Sequence, residues 1–194
     1  MRSNLAVVDP HQPDISPVAW NTPLGSSAQS VVLVPLQYAQ TLSPEKAPQL
    51  IQAYREAPQC VVPLIQASAH AGVGGRIQDE YIEAGLPIPQ EWLRGVSQSL
   101  LPQCFLTQVV GDSMGETAPE GAYILAAPST AQQELNRPAL VQFDGALSVK
   151  RLKIDPKTNH LRLVSDNPAY KPFSVPPQHV EFVWRVLEVL VEFR

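Results

Sequence analysis

The apolar residues of this chain fall in short runs separated by turn residues, and from about residue 59 the runs recur regularly. CVVPLIQASA, CFLTQVV, YILAA, ALVQF, LSVKRLKI and HLRLVS each read as a strand, and so does the closing HVEFVWRVLEVLVEF, whose periodicity is mixed but whose valines favour extended backbone. Asp144-Gly145, Asp155-Pro156, Asn167-Pro168 and Pro176-Pro177 punctuate them, and such pairs favour the backbone angles that reverse a chain. The pattern predicts a mostly β, mostly antiparallel domain from about residue 60 to the end. IPQEWLRG, residues 88–95, reads as a turn or a single helical turn.

The first 60 residues have a different texture. Residues 1–30 are rich in proline, serine and glutamine and read as an extended arm, with Trp20 as an anchor against the body. VVLVPLQY, residues 31–38, reads as a strand, and Pro35 argues for a sheet edge. SPEKAPQLIQAYREAP carries a helix start, with Ser43 as N-cap, Pro44 at the first helical position and Glu45 in the first turn; the helix should end before Pro58. One short helix is not a helix-turn-helix, which needs two packed helices and a polar or basic recognition face. None is visible here.

Composition narrows the function classes. Twenty prolines are about twice the usual share of roughly 5%, which suits short strands, turns and arms. The longest apolar run near the start, VVLVPL, is far shorter than the roughly 20 residues of a membrane span. With no signal-type apolar core, the chain reads as cytoplasmic. Cys60 and Cys104 are then expected as thiols rather than a disulfide. The four histidines are scattered, and no cysteine–histidine spacing resembles a metal site; no cofactor is implied. Net charge is −4, and the only basic cluster is Lys150-Arg151-Leu152-Lys153, so nothing points to a general affinity for phosphate backbones.

The candidate chemistry sits in VVGDSMGETAPEGAYIL, residues 109–125. Ser113 follows a predicted strand directly, Gly111 lets the backbone turn, and successive N–H groups at such a turn can bind an oxyanion. Alone, Ser113 is better read as a turn serine. Lys150 lies in LSVKRL, where strict alternation puts Leu147, Val149 and Arg151 on one face and Ser148, Lys150 and Leu152 on the other. A lysine on a buried face has a lowered pKa and, once neutral, can take a serine proton; otherwise it is a strand lysine reaching for solvent.

GDSM followed by a lysine in VKRL, 37 positions after the serine, resembles the LexA-type self-cleaving repressors and their UmuD and phage-repressor relatives. The likeness runs from about Val61 to the C-terminus. It takes in the VPL strand, the small-residue Ala-Gly segment, Glu80, the GDSM turn, VKRL and SDNPAYKPF. It implies a serine–lysine peptidase of LexA/signal-peptidase-like β fold, with Ser113 as nucleophile and Lys150 as general base. The backbone N–H groups of Asp112 and Ser113 would hold the oxyanion, and the Ala71-Gly72 bond in ASAHAGVGG would be the substrate. Ala84-Gly85, followed by Leu86-Pro87, fits that pattern less well. The organisation expected is an N-terminal extension over 1–58 containing one short helix, a cleavage-site segment over 59–80 and a peptidase domain over 81–194.

The resemblance also implies self-cleavage in a DNA-damage or phage-type stress response, a homodimer formed through the β domain and stimulation by a RecA-type filament. DNA binding stays open, because repressors of this kind carry a DNA-binding domain that is not visible here; a UmuD-like interaction protein without DNA binding is the alternative. GETAPEGA departs from the pattern, with Pro119 displaced and Ala122 where an aspartate is typical. Trp92, Trp184 and Phe182 are expected in the core or at a dimer contact. Asp166-Asn167-Pro168 is expected to turn the chain, with Tyr170 and Phe173 packed beneath.

Overall fold

The computed structural model describes residues 32–41, 46–65, 82–144 and 146–193. Ten strands form one sheet: β1 Val32–Pro35, β2 Gln59–Ile65, β3 Ile82–Pro89, β4 Phe105–Gln108, β5 Tyr123–Ser129, β6 Pro138–Phe143, β7 Ala146–Ile154, β8 Leu161–Val164, β9 Phe173–Val175 and β10 Val180–Phe193. Their order is β3-β2-β4-β5-β10-β6-β7-β8-β9, with β1 paired to β10. Two short helices, α1 Leu36–Thr41 and α2 Ala47–Glu56, connect β1 to β2.

The seven expected strand runs all become strands, and the domain is mostly β. Pairing is antiparallel except between β2 and β4, where Leu64 and Ile65 run parallel to Leu106 and Thr107. Two strands are illegible in the sequence. IEAGLPIP of β3 carries a glycine and two prolines, which demote a central strand but are tolerated at an edge, and β3 is an edge of the sheet. β9 has only three residues, too few for any periodicity.

VVLVPLQY splits: β1 covers Val32–Pro35, and the chain turns into α1 from Leu36. Proline cannot extend a ladder by donating, and here it closes the strand. Among the described residues, the upstream region therefore has two helices rather than one. The second starts at Ala47 with Pro48 in its first turn and ends before Pro58. The expected cap at Ser43, with Pro44 and Glu45, lies outside the described residues, as do the arm with Trp20 and the segment containing Glu80, Ala71 and Gly72.

Alternation divides β4 and β5 between two cores. Phe105, Ile124 and Ala126 join Met114, Val149 and Trp184 on one side, while Leu106, Leu125 and Ala127 join Val62, Ile88, Trp92 and Leu190 on the other. Trp184 and Trp92 are both buried. Trp184 meets Phe105 edge to face at 5.5 Å and Phe182 at 5.6 Å, while Trp92 meets Tyr54 of α2 edge to face at 5.2 Å. Cys60 and Cys104 are free thiols, both in the second core, and burial pushes the Cys104 thiol up to about 11. Among the described residues, no helix is long and apolar enough to cross a membrane.

Candidate active site

β4 delivers the chain to the Ser113 turn, and glycine makes the turn feasible. Gly111 has φ +81° and Gly121 φ +82°, in the left-handed region where a side chain is strained. Val109 N donates to Ala122 O at 2.7 Å and Gly121 N to Val109 O at 2.9 Å, so the loop between β4 and β5 is closed at its neck. Ala122 is buried, and its N–H bonds Pro119 O at 3.1 Å. Backbone pairing thus closes the GETAPEGA segment without a carboxylate at that position. Met114 and Ala118, 2% and 1% exposed, plug the loop into the core beneath it.

Lys150 comes from β7, opposite Ala139 of β6. It is only 7% exposed and shares burial with Leu152, as alternation predicts; the opposite face is covered too, because Val149 packs in the first core. Its Nζ lies 2.7 Å from Ser113 Oγ and 3.1 Å from Val149 O. Among the described residues no carboxylate forms an ion pair with it. Burial without a counter-charge therefore lowers its pKa below the ordinary lysine value. A lowered lysine pKa enlarges the neutral fraction, and a neutral amine can accept a hydroxyl proton. Beside the pair lies a cleft of about 80 Å³ bordered by Val110, Leu140, Leu147, Ser148 and Val149. Among the described residues, the N–H groups of Asp112 and Ser113 have no hydrogen-bond partner.

A second cluster lies behind the turn. Arg151 holds Asp166 through two bonds, Nε to Oδ1 at 2.9 Å and Nη2 to Oδ2 at 2.7 Å, and its Nη1 bonds Asn136 O at 3.0 Å. Thr117 Oγ1 donates to the same carboxylate at 2.7 Å. Asn167 N donates to Ser113 O at 3.1 Å, and its side-chain amide donates to Asp112 O at 3.1 Å and Asp112 Oδ2 at 3.2 Å. The Tyr170 hydroxyl donates to Asp112 Oδ1. Residues 166–170 do turn the chain, but Tyr170 and Phe173 do not pack beneath it. They are 43% and 40% exposed, Tyr170 reaching over to Asp112 and Phe173 lying against Phe143 at 5.3 Å.

Ser113 and Lys150 are thus brought together, whereas Ala71 and Gly72 lie outside the described residues. Ala84-Gly85 is inside β3, laddered to Leu64 and Pro63 of β2, so that pairing would have to open before this bond could enter a cleft. The partners Thr117, Asp166 and Asn167 went unassigned in the sequence. The one sign of them was Arg151, whose place on the face opposite Lys150 called for a partner there. Among the described residues, no group of three or more His, Cys, Asp or Glu is placed to hold a metal ion.

The β fold brings a serine and a buried lysine together at the β4–β5 loop. Residues 63–187 match the family described as Peptidase S24-like, which spans most of the chain, and the protein belongs to that family, the one of LexA, UmuD and the phage repressors. A comparison with curated protein sequences finds no match.

The Arg151 guanidinium holds the Asp166 carboxyl below the usual carboxylate range, despite the opposing effect of partial burial. A depressed carboxylate pKa gives stability that is complete above the unfolded value and lost as pH falls through the folded one. Asp166→Asn should therefore cost about 1–3 kcal/mol at neutral pH, read by urea unfolding. The gap to the parent protein should close as the medium is made acid enough to protonate Asp166.

Proposed function

We propose that this protein is a LexA-like autopeptidase that cuts its own Ala71-Gly72 bond with Ser113 as nucleophile and Lys150 as general base. The observation that carries the reading is the 2.7 Å contact between Lys150 Nζ and Ser113 Oγ with Lys150 buried. Neutral Lys150 takes the Ser113 proton as Oγ attacks the Ala71 carbonyl carbon. The oxyanion develops towards the N–H groups of Asp112 and Ser113. Collapse breaks the C–N bond, Lys150 returns the proton to the Gly72 nitrogen, and an ester between Ala71 and Ser113 is left. Water, deprotonated by Lys150, hydrolyses the ester to the Ala71 carboxylate and frees Ser113.

Two features support the choice of bond. The small cleft beside the pair suits a methyl side chain before the scissile bond. Ile65 and Thr107 are partners in the parallel ladder; Ala71 lies six residues beyond Ile65 (71 − 65) and Ser113 six beyond Thr107 (113 − 107). Six residues span at most about 20 Å, so β2 launches the segment from beside the strand that launches the nucleophile.

The output of the cut is better read as a UmuD-like change of interactions than as release of a DNA-binding domain. The described part of the N-terminal fragment is woven into the body. β2 lies between β3 and β4, β1 pairs Val32–Pro35 with Leu190–Phe193, and Val34, Val62 and Ile65 are buried. A role in a DNA-damage or phage-type stress response, assembly as a homodimer through the β domain and activation by a RecA-type filament belong to the same proposal.

Incubation at alkaline pH should convert the chain into fragments ending at Ala71 and starting at Gly72, read by intact mass, faster as pH rises and Lys150 loses its proton. Ser113→Ala and Lys150→Ala should each slow this by at least about 10³-fold; normal cleavage in either variant contradicts the dyad.

On native size exclusion the two fragments should co-elute at the volume of the uncut chain. Elution of 72–194 alone would show that the sheet does not retain the N-terminal piece.

A further inference from the structure

Two consecutive peptide groups at the nucleophile turn are gripped by one residue that lies 54 positions away (167 − 113). The carbonyl of Asp112 accepts from the Asn167 side-chain amide at 3.1 Å and from Gly115 N at 3.0 Å. The carbonyl of Ser113 accepts from Asn167 N at 3.1 Å. A trans peptide is planar and its C=O and N–H point in opposite directions. Holding the Asp112 carbonyl towards Asn167 therefore aims the Ser113 N–H the other way, and holding the Ser113 carbonyl fixes the same residue from its C-terminal side. The Asn167 amide also bonds Asp112 Oδ2 at 3.2 Å, and Tyr170 bonds the other oxygen of that carboxylate. Asp112 is thus secured through both its carbonyl and its side chain.

Asn167 is itself pre-set. Its Oδ1 accepts from Ala169 N at 3.0 Å, an Asx-type turn, and Tyr170 N bonds Asn167 O at 3.1 Å. That turn follows Asp166, which Arg151 and Thr117 clamp. Arg151 is the residue after Lys150, so the strand that supplies the base also anchors, through Asp166, the residue that orients the nucleophile turn. Both halves of the dyad are referenced to β7.

We propose that Asn167 is the positioning residue of the oxyanion site: its side-chain amide and backbone N–H fix the Asp112 and Ser113 peptide planes so that the Ser113 N–H faces the developing oxyanion. It touches no reacting atom. The proposal rests on the dyad reading above and assigns a role to a residue that the dyad itself does not require.

The test compares self-cleavage of full-length protein across pH for the parent, Asn167→Ala, Asn167→Ser and Ser113→Ala, with urea unfolding of each. Serine at this position can still accept from the backbone two residues on and keeps its own N–H for Ser113 O, but it has no amide to reach Asp112. Both Asn167 variants should remain folded and lose about 10–100-fold of the alkaline plateau rate, a part of what losing a whole oxyanion donor costs. The pH midpoint, set by Lys150, should not move. Parent-like cleavage in Asn167→Ser would mean that the turn and not the amide matters, and overturns the proposal. So does a shifted midpoint, which would place the effect on Lys150. Should Asn167→Ala unfold, Asn167→Ser carries the comparison by itself. Undiminished cleavage by Ser113→Ala is the separate outcome in which the dyad reading falls, and the role of Asn167 falls with it.

Discussion

The arrangement depends on an amine kept out of water without a counter-charge. Lys150 is 7% exposed and has a hydroxyl and a carbonyl for partners rather than a carboxylate. A carboxylate at that point would stabilise the ammonium and raise the pKa, which would disarm a base. The fold puts its nearby anion elsewhere: Asp166 is drawn to Arg151, the next residue, whose side chain leaves on the other face of β7. Adjacent cations on one strand are thereby given opposite environments, one paired and one desolvated. Desolvating an amine disfavours its charged form and costs stability at neutral pH; the two cores on either side of the central strands supply the burial that offsets it.

The Ser113 turn solves a different problem, that of holding an irregular loop still. Met114 and Ala118 fix it from below, the Val109–Ala122 and Gly121–Val109 bonds fix its neck, and Asn167 fixes its crest. These restraints come from the loop's own residues 109–122 and from one distant residue, Asn167, and they hold the loop on both sides of Ser113. A serine held in this way needs no motion of its own to meet Lys150 at hydrogen-bond distance.

The strands are legible where alternation or a short apolar run is bounded by turn residues, as in LSVKRLKI and YILAA. They were hidden where proline-tolerant edges or very short pairings carry the ladder, as in β3 and β9. Lys150 could be placed on a buried face from Leu152 alone, since alternation is local. Its contact with Ser113 is not local, and only the likeness of GDSM and VKRL to a known pattern linked the two in the sequence. Asn167 and Asp166 read simply as turn residues, because their partners, Asp112, Ser113, Thr117 and Arg151, are distant along the chain. Tyr170 and Phe173, expected beneath the 166–168 turn, are instead kept at the surface by a hydroxyl drawn to the Asp112 carboxylate and by a short edge strand. The division of VVLVPLQY into strand and helix turned on Pro35, which favours an edge but also ends the ladder.

The weaving of the N-terminal elements into the sheet alters what self-cleavage would accomplish. A cut between β2 and β3 opens a connection at one end of a hairpin whose strands remain laddered along their length. The proposed cut would create a new carboxylate and a new amine without removing the ladder between these strands. The account stands on the electrostatics of one amine, and an NMR titration of the lysine Nζ groups, with the Lys150 signal assigned by its loss in Lys150→Met, measures this directly. The account requires Lys150 to titrate below the ordinary lysine value of about 10.4; a midpoint at or above that value would contradict it.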